Sequence, residues 1–306
     1  MLWNKRTFFA IHSWIGIQFS ILFFIVCFSG TLATISNELD WLFNCKMRIV
    51  PKEEWASRNL IRDRIKKQYP KGEITYWSQA GPPYLCDLVH VRRDGLRTYV
   101  FVNPHSGEIQ GEAQITIQRY FRDLHYYLFI PFQVGHFTVL FFGFLLLFAF
   151  STALVFYKKW YRKLFVLKTG KGILVFFRSL HRLVGLWSIP FALLFALTGI
   201  WYFIERADVG GVSQYISFEA PKIDKAAEDW ENLTYTVDYD RAISVAKGQI
   251  NGFEVERIGS PYRAGSSIYL YGANEVPLVR PRANRVYLDP FTYEVLATQN
   301  AKDLNI

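Results

Sequence analysis

Three long apolar runs organise the chain, and mainly polar segments separate them. The runs cover residues 11–30, 129–157 and 172–205. About 20 apolar residues at roughly 1.5 Å each cover the hydrocarbon core of a bilayer, so each run predicts one transmembrane helix. The alternative for the first run is a signal peptide, but its apolar core is long and no small-residue cleavage site ends it cleanly. We therefore expect the first helix to be retained.

The two longer polar stretches each predict a helix followed by antiparallel strands. The first contains an amphipathic pattern at about 53–68 and then strands in "EITYWSQ", "YLCDLVHVRR" and "LRTYVFVNP". In the second, a helix in "DYDRAISVAKGQ" precedes strands in "FEVERIGSP", "SSIYLYGA" and "NRVYLDPFTYEVLA". The turns "VNPHSGEI" (102–109) and "LDPFTYEV" (288–295) align position by position. These patterns predict two small α+β domains.

The membrane segments repeat as well. "IHSWIG" at 11–16 recurs as "LHRLVG" at 180–185, and Ser29-Gly30 recurs as Thr198-Gly199 at the same distance from its histidine. A correspondence that covers both membrane and polar segments indicates an internal two-fold repeat.

Basic residues near the apolar runs predict the orientation. Residues 158–182 contain eight Lys and Arg and no acid, and Lys5 and Arg6 precede the first run, so both segments should be cytoplasmic. These ten cations account for the formal net charge of +9, which argues against nucleic-acid binding. The predicted order is the following: cytoplasmic N-terminus 1–9, transmembrane helix 10–34, outer domain 35–121, transmembrane helix 122–157, basic cytoplasmic loop 158–172, transmembrane helix 173–205 and outer domain 206–306.

A histidine and two glycines share one face of both the first and the third predicted helix. The glycines follow the histidine by four and by eighteen residues, and eighteen residues make about five turns, or 27 Å. Glycine lets a flat porphyrin approach the backbone, and imidazole is a common axial ligand of haem iron. The alternative is an ordinary interfacial histidine at a helix end. Two matching copies favour a bis-histidine haem site built from His12, Gly16, Gly30, His181, Gly185 and Gly199.

Two further histidines accompany the second run. His125 lies at its outer end, and His136 follows eleven residues later, which on one continuous helix is three turns and about 16 Å. Two rings on one helix face cannot clamp one iron, so they would serve two sites, or one would hydrogen-bond. For His125, a wet interfacial position is equally open. For His136, its place inside an apolar span favours function.

Other candidate sites are weaker. The sequence has no C-x-x-C-H for covalent haem and no G-x-G-x-x-G for a nucleotide. Cys45 and Cys86 could pair in an oxidising compartment, whereas Cys27 has a packing role at most. His90 and His105 are expected to be solvated.

These motifs together resemble the PepSY-associated transmembrane family of iron-regulated inner-membrane proteins, which includes ferric-siderophore reductases. The resemblance covers essentially the whole chain and implies a helical transmembrane bundle with PepSY-type periplasmic domains in a bacterial inner membrane. It further implies b-type haem, one or two copies, held by helix histidines that match His12, His181 and His125. The implied activity is that of an oxidoreductase that passes electrons outward to reduce ferric siderophores and release iron. No family motif matches His136.

Two other functions stay open at this stage. The chain would in one case be a haem-free, membrane-anchored PepSY module that binds peptides or restrains a protease. In the other, it would be a non-redox subunit of a siderophore uptake system. The partners expected for the reductase are a ferric siderophore, a cytoplasmic or quinol electron donor, the lipid bilayer and, if it dimerises, a second copy.

The resemblance implies four crossings, and a fourth apolar run is not found in the sequence up to Ile306. Its histidine would complete the outer site with His125. We therefore expect the outer haem to be lost, weakly held or completed by a second chain, with close to one haem per chain.

Overall fold

The computed structural model describes residues 4–79, 82–213, 218–224, 230, 233–274, 276, 279 and 281–303. The chain divides into two compact units. The membrane unit comprises Met1–Ile35 and Tyr120–Ser217, and the sheet unit comprises Ser36–Arg119 and Phe218–Ile306.

The described α-helices are α1 (Lys5–Thr34), α2 (Ser36–Phe43), α3 (Arg58–Gln68), α4 (Ile117–Tyr127), α5 (Phe132–Phe156), α6 (Ile173–Arg206) and α7 (Tyr239–Lys247). The described strands are β1 (Glu73–Ser78), β2 (Asp87–Arg93), β3 (Leu96–Val102), β4 (Ile109–Ala113), β5 (Glu254–Gly259), β6 (Ile268–Ala273), β7 (Arg285–Leu288) and β8 (Val295–Gln299). Short 3-10 helices occur at Cys45–Met47, Trp160–Lys163, Val209–Gly211, Leu233–Tyr235, Pro281–Ala283 and Ala301–Asp303.

Helices α1, α5 and α6 are each long and apolar enough to cross a membrane, in agreement with the three predicted apolar runs. Helix α5 packs against both α1 and α6. Its contact with α6 is a close backbone approach, because a Cβ atom at Gly143 would lie 3.0 Å from the carbonyl oxygen of Ala196. Small residues at such a crossing allow dispersion contacts between helices that have no hydrophobic driving force in lipid.

The second predicted span is not one continuous helix. Helix α4 ends at Tyr127, and α5 begins only at Phe132. Between them, Leu128 and Phe129 adopt left-handed backbone angles, with φ of 55° and 56°. Pro131 occupies the N-cap position of α5, and proline favours a helix start because it lacks the N–H that an interior position must donate. The expectation of three helical turns between His125 and His136 is therefore wrong.

The strands of the sheet unit form a single antiparallel sheet in the order β4-β3-β2-β1-β5-β6-β7-β8. The sequence predicts two separate α+β domains, whereas the structure joins the two sets of four strands edge to edge. The joint is the antiparallel pair of β1 and β5, in which Trp77 lies opposite Ile258. Pairing removes two exposed strand edges that would otherwise invite association with other chains.

One face of this sheet carries the main core, and a second, smaller buried cluster that includes Tyr99 and Phe101 lies on the opposite face of β3. Alternate strand residues, including Val89 and Val100 in the first half and Leu270 and Val286 in the second, are fully buried with side chains of α3 and α7 in one cluster. Strand side chains alternate between faces, so the intervening residues lie on the opposite face.

The two halves of the sheet unit contain the same turn after their third strand. Asn103 and Asp289 each accept hydrogen bonds from the backbone N–H groups two and three residues later, at 2.8 to 3.2 Å. The fifth turn position is left-handed in both, with φ of 71° at Gly107 and 67° at Tyr293. The position-by-position alignment of these turns is thus matched in backbone geometry.

Helices α3 and α7 cap each other's N-termini. The Asp240 carboxylate accepts a hydrogen bond from the backbone N–H of Arg58 at 2.8 Å, and the Asn59 side chain accepts one from that of Tyr239 at 2.8 Å. Both acceptors occupy the second position of their helix. The first N–H groups of a helix have no hydrogen-bond partner inside that helix, so a side chain of each helix provides the acceptor for an N–H group of the other.

A buried ion pair connects helix α3 to strand β2. Arg58 Nη1 is 2.7 Å from Asp87 Oδ2, with 5% and 2% of the two side chains exposed. Trp77 Nε1 donates to the same carboxylate oxygen at 2.9 Å. Burial raises the pKa of Asp87, and the Arg58 guanidinium and the indole N–H oppose that rise by stabilising the charged form.

Candidate functional site

His12 is held on α1 by a contact with α5. The ring is half-buried, and its Nδ1 lies 3.0 Å from the carbonyl oxygen of Ala149. A carbonyl can only accept, so this geometry assigns the proton to Nδ1 and leaves the Nε2 lone pair available. Ligating histidines are commonly oriented through their other ring nitrogen in this way.

The ring of His181 on α6 lies next to that of His12, although the two residues are 169 positions apart in the chain. Their centroids are 6.4 Å apart, and their planes make an angle of 62°. A metal–imidazole bond of about 2.0 Å plus about 1 Å to each ring centre gives roughly 6 Å between two rings that ligate one metal from opposite sides. The structure thus brings together the two histidines that the sequence pairs, at a ring separation close to this value.

Interactions with the basic loop fix the two helical turns that follow His181. Arg182 donates to the carbonyl oxygen of Val166 at 2.8 Å, and Trp187 Nε1 donates to that of Leu164 at 2.7 Å. These bonds hold the helix and do not involve the His181 ring. That side chain is exposed, so the ring can change its orientation.

The four glycines of the predicted site have two kinds of surroundings. A Cβ atom at Gly16 or Gly185, one turn after each histidine, would meet no heavy atom within 4 Å. A flat ligand could therefore approach the backbone of both helices beside the paired rings. At Gly30 and Gly199 the neighbours are protein atoms, and at Gly199 the nearest is the Cα of Gly143 at 3.5 Å. The close approach at Gly199 serves helix packing.

Gly30 makes room for His125. A Cβ atom at Gly30 would lie 2.8 Å from Cε1 of that ring, which is closer than real Cβ contacts. His125 lies on α4 and is half-buried, and its Nδ1 is 2.8 Å from the carbonyl oxygen of Val26 on α1. His125 and His12 are thus oriented by the same kind of bond, at levels of α1 that differ by 14 residues, or about 21 Å.

His136 turns back toward α4 because the helix is broken. Its Nδ1 lies 3.2 Å from the carbonyl oxygen of Tyr126, the residue next to His125. The ring is stacked between Tyr126 and Phe132, with centroids 5.4 and 5.1 Å away and planes within 12° of parallel. The 16 Å separation that the sequence predicts between the two histidines does not apply, since it assumes one helix.

A family model described as PepSY-associated TM region matches residues 9–237. The chain belongs to the PepSY-associated transmembrane family. A search of curated proteins found no match.

Family membership agrees with the sequence resemblance and establishes a membrane protein. The matched range contains all four histidines of the membrane unit and the first half of the sheet unit.

Sequence reasoning missed the groups that orient these histidines. The carbonyls of Val26 and Ala149 are backbone atoms, so no residue type signals them. The stacking of Tyr126 and Phe132 on His136 had a readable signal, because Pro131 lies within the apolar run and marks a helix start.

The two histidines of the sheet unit, His90 and His105, also have neighbours in the protein. His90 contacts the rings of Tyr76 and Tyr99, at 5.1 and 4.7 Å, and His105 Nδ1 lies 2.7 Å from the carbonyl oxygen of Glu54. Both side chains are partly exposed, so the expectation that they are solvated is not contradicted, and both also have protein partners.

The cysteines are separate thiols. Cys27 and Cys45 are exposed, and Cys86 is buried. Burial raises the pKa of Cys86 to about 12, so its thiol stays protonated. Within the described ranges, no group of three or more His, Cys, Asp or Glu could hold a metal ion, and an axial pair for haem needs only two ligands.

Proposed function

We propose that this protein is a b-type haem protein that transfers electrons across a bacterial inner membrane. The observation that carries the proposal is the facing pair of His12 and His181, with ring centres 6.4 Å apart. The open backbone at Gly16 and Gly185 supports it, because a porphyrin next to the paired rings needs that space.

The chain's own residues would prepare the ligand atoms. The Ala149 carbonyl holds the proton of His12 on Nδ1, which directs the Nε2 lone pair away from α5 and increases the basicity of the ring. The aromatic ring of Phe156, 5.5 Å from His12, restricts rotation and excludes water from that side. Haem bound here would supply a reversible one-electron Fe(III)/Fe(II) couple.

The proposed direction of transfer follows from the position of the basic residues. His12 lies seven residues, or about 10 Å, from the start of α1 at Lys5, and His181 follows the cation-rich loop. The positive-inside rule assigns these ends to the cytoplasm and the sheet unit to the periplasm. Electrons from a cytoplasmic or quinol donor would thus enter at the level of His12.

The outer part of the path would use His125. Its orientation by the Val26 carbonyl leaves Nε2 available, as at His12. We assign His125 as one ligand of a second haem, with its other ligand from a neighbouring group, for example a second copy of the chain. His136 would act by positioning, since its ring is bonded to the residue next to His125.

The proposed reaction reduces a ferric siderophore in the periplasm. Fe(III) in the chelate gains one electron and becomes Fe(II), and the reduced protein loses that electron. Hard oxygen ligands hold the doubly charged ion less tightly, so iron is released while the chelator stays intact.

An absorption spectrum of the detergent-purified protein tests the cofactor. We expect a low-spin b-type signal that changes on addition of dithionite and returns when a ferric siderophore is added. His12→Ala and His181→Ala should each remove the signal of the inner haem, because loss of one axial ligand changes the spin state.

His105→Ala is the matched control, since it removes a histidine of the sheet unit. If both membrane variants keep the wild-type spectrum, the histidines are interfacial and the proposal is wrong. A protein without haem after expression with added haem precursor would favour a peptide-binding PepSY module or a non-redox subunit of siderophore uptake.

A further inference from the structure

The sheet face opposite the main core carries a row of aromatic side chains, which begins at Tyr99 in the smaller buried cluster. Tyr99, His90 and Tyr76 lie directly across from one another on β3, β2 and β1, and Tyr269 and Tyr287 do so on β6 and β7. Cross-strand neighbours on one face are close enough for their side chains to interact. The row thus runs across both halves of the sheet.

The two halves of this row meet around the pair of Trp77 and Ile258. On one side of this pair Tyr76 lies opposite Gly259, and on the other Ser78 lies opposite Arg257. A Cβ atom at Gly259 would collide with the ring of Tyr269, so the missing side chain allows that ring to lie flat on β5. The centre of the face is therefore shaped by side chains from both halves.

The matched turns assign corresponding positions in the two halves. With Val102 aligned to Leu288, the strand pairing makes His90 correspond to Tyr271 and Tyr76 to Arg257. These four residues surround the joint of the sheet, two from each half. Corresponding positions in the two halves thus have different side chains, as expected if the two copies of a repeated unit have specialised.

These four residues form one contact network, which we call the junction cluster (Tyr76, His90, Arg257 and Tyr271). The hydroxyls of Tyr76 and Tyr271 are hydrogen-bonded to each other, and the ring of His90 lies 5.1 Å from that of Tyr76. The Arg257 guanidinium lies 5.6 Å from the ring centre of Tyr271 and interacts electrostatically with both phenols.

The junction cluster presents positive charge and hydrogen-bond donors. Arg257 is exposed, and it takes part in none of the ion pairs found among the described residues. Tyr76 and Tyr271 are half-buried, and burial raises the pKa of Tyr76, so that phenol stays protonated. Guanidinium and phenol groups together suit the oxygen atoms of an anion.

We propose that the junction cluster binds a compact, oxygen-rich anion of the ferric chelate class. The choice of an anion rests on the positive charge of Arg257. The choice of a ferric chelate rests on the proposed function. The flat rings of Tyr269 and Tyr271, parallel within 5° and 6.0 Å apart, would contact planar parts of the chelator.

The test uses the full-length protein in detergent and a trianionic gallium(III) tris-catecholate complex as the probe. Gallium(III) resembles iron(III) in charge but is not reduced, so calorimetry measures binding without electron transfer. We expect saturable binding that weakens as salt increases. Arg257→Gln should weaken it by about tenfold or more, because a charge-assisted contact is lost.

Two further variants separate binding from stability. Ser78→Glu places a carboxylate directly across from Arg257 without removing any cluster residue, and it should also weaken binding. Arg241→Gln is the matched control, since Arg241 lies over the ring of Tyr293 at 4.5 Å on α7 and should bind the probe as the wild type does.

Three outcomes would overturn the inference: no binding by the wild type, unchanged binding in both Arg257→Gln and Ser78→Glu, or equal losses in the Arg241→Gln control. The haem spectrum of the same preparation decides the proposed function independently. A protein with haem but without this binding site would refute the junction cluster alone.

Discussion

Removing Asp87 should destabilise the sheet unit strongly. The Arg58 side chain is 5% exposed, so Asp87→Ala would leave a guanidinium in the interior without its carboxylate partner. Breaking a buried pair by removing one partner costs about 3–5 kcal/mol, and the hydrogen bond from Trp77 is lost as well. That is a large part of the stability of a typical domain, which is about 5–15 kcal/mol.

The matched control is the pair of Arg62 and Asp63. Its N–O distance of 2.8 Å is nearly the same, but the Asp63 side chain is 60% exposed. Exposed pairs contribute only about 0–1 kcal/mol, because solvent screens the charges. Asp63→Ala should therefore change little, although it removes the same chemical group at a similar distance.

Hydrogen exchange measured by mass spectrometry on the full-length protein in detergent gives the local opening free energy. In Asp87→Ala, peptides that cover β2 and β3 should lose about 3 kcal/mol or more of protection, whereas Asp63→Ala should lose less than about 1 kcal/mol. The double variant Arg58→Met, Asp87→Leu should recover much of the loss, since it removes both charges. Equal protection in Asp87→Ala and the control would refute the reasoning.

Three further predictions concern other parts of the chain. Cys45 should react with a membrane-impermeant maleimide added from the periplasmic side. Cys86 should react only after unfolding, because it is buried and burial raises its pKa to about 12. Labelling of Cys45 from the cytoplasmic side alone would show that the predicted topology is reversed. Gly30→Ala should displace His125 and destabilise the membrane unit by about 1–3 kcal/mol, measured as detergent thermal stability; an unchanged melting temperature would contradict this. Asp240→Ala should lower exchange protection of α3 by about 0.5–2 kcal/mol through loss of its cap; unchanged α3 amides would contradict this.

The spans and strands could be read from periodicity because burial in lipid or in a core selects residue types at fixed spacing. The facing of His12 and His181 also follows from the sequence, since two copies of one motif indicate equivalent positions. The junction of β1 and β5 was not readable, because strand pairing between distant segments depends on backbone hydrogen bonds that every residue offers.

The break between α4 and α5 was missed for a different reason. The apolar run continues through it, and hydropathy outweighed the signal of Pro131. The capping by Asn59 and Asp240 was missed for another reason. Polar residues near a helix start predict a cap for their own helix, whereas in the structure each of these two residues caps the other helix.

The central pairing of β1 with β5 also sets an order of events during biosynthesis. Ser78 ends β1, and Glu254 begins β5 about 175 residues later, after the membrane unit has been made. At about 5–20 residues per second, translation needs roughly 10–35 s to supply the partner strand. During that time β1 is an unprotected edge in the compartment of the first polar segment, where a chaperone or a neighbouring copy can pair with it.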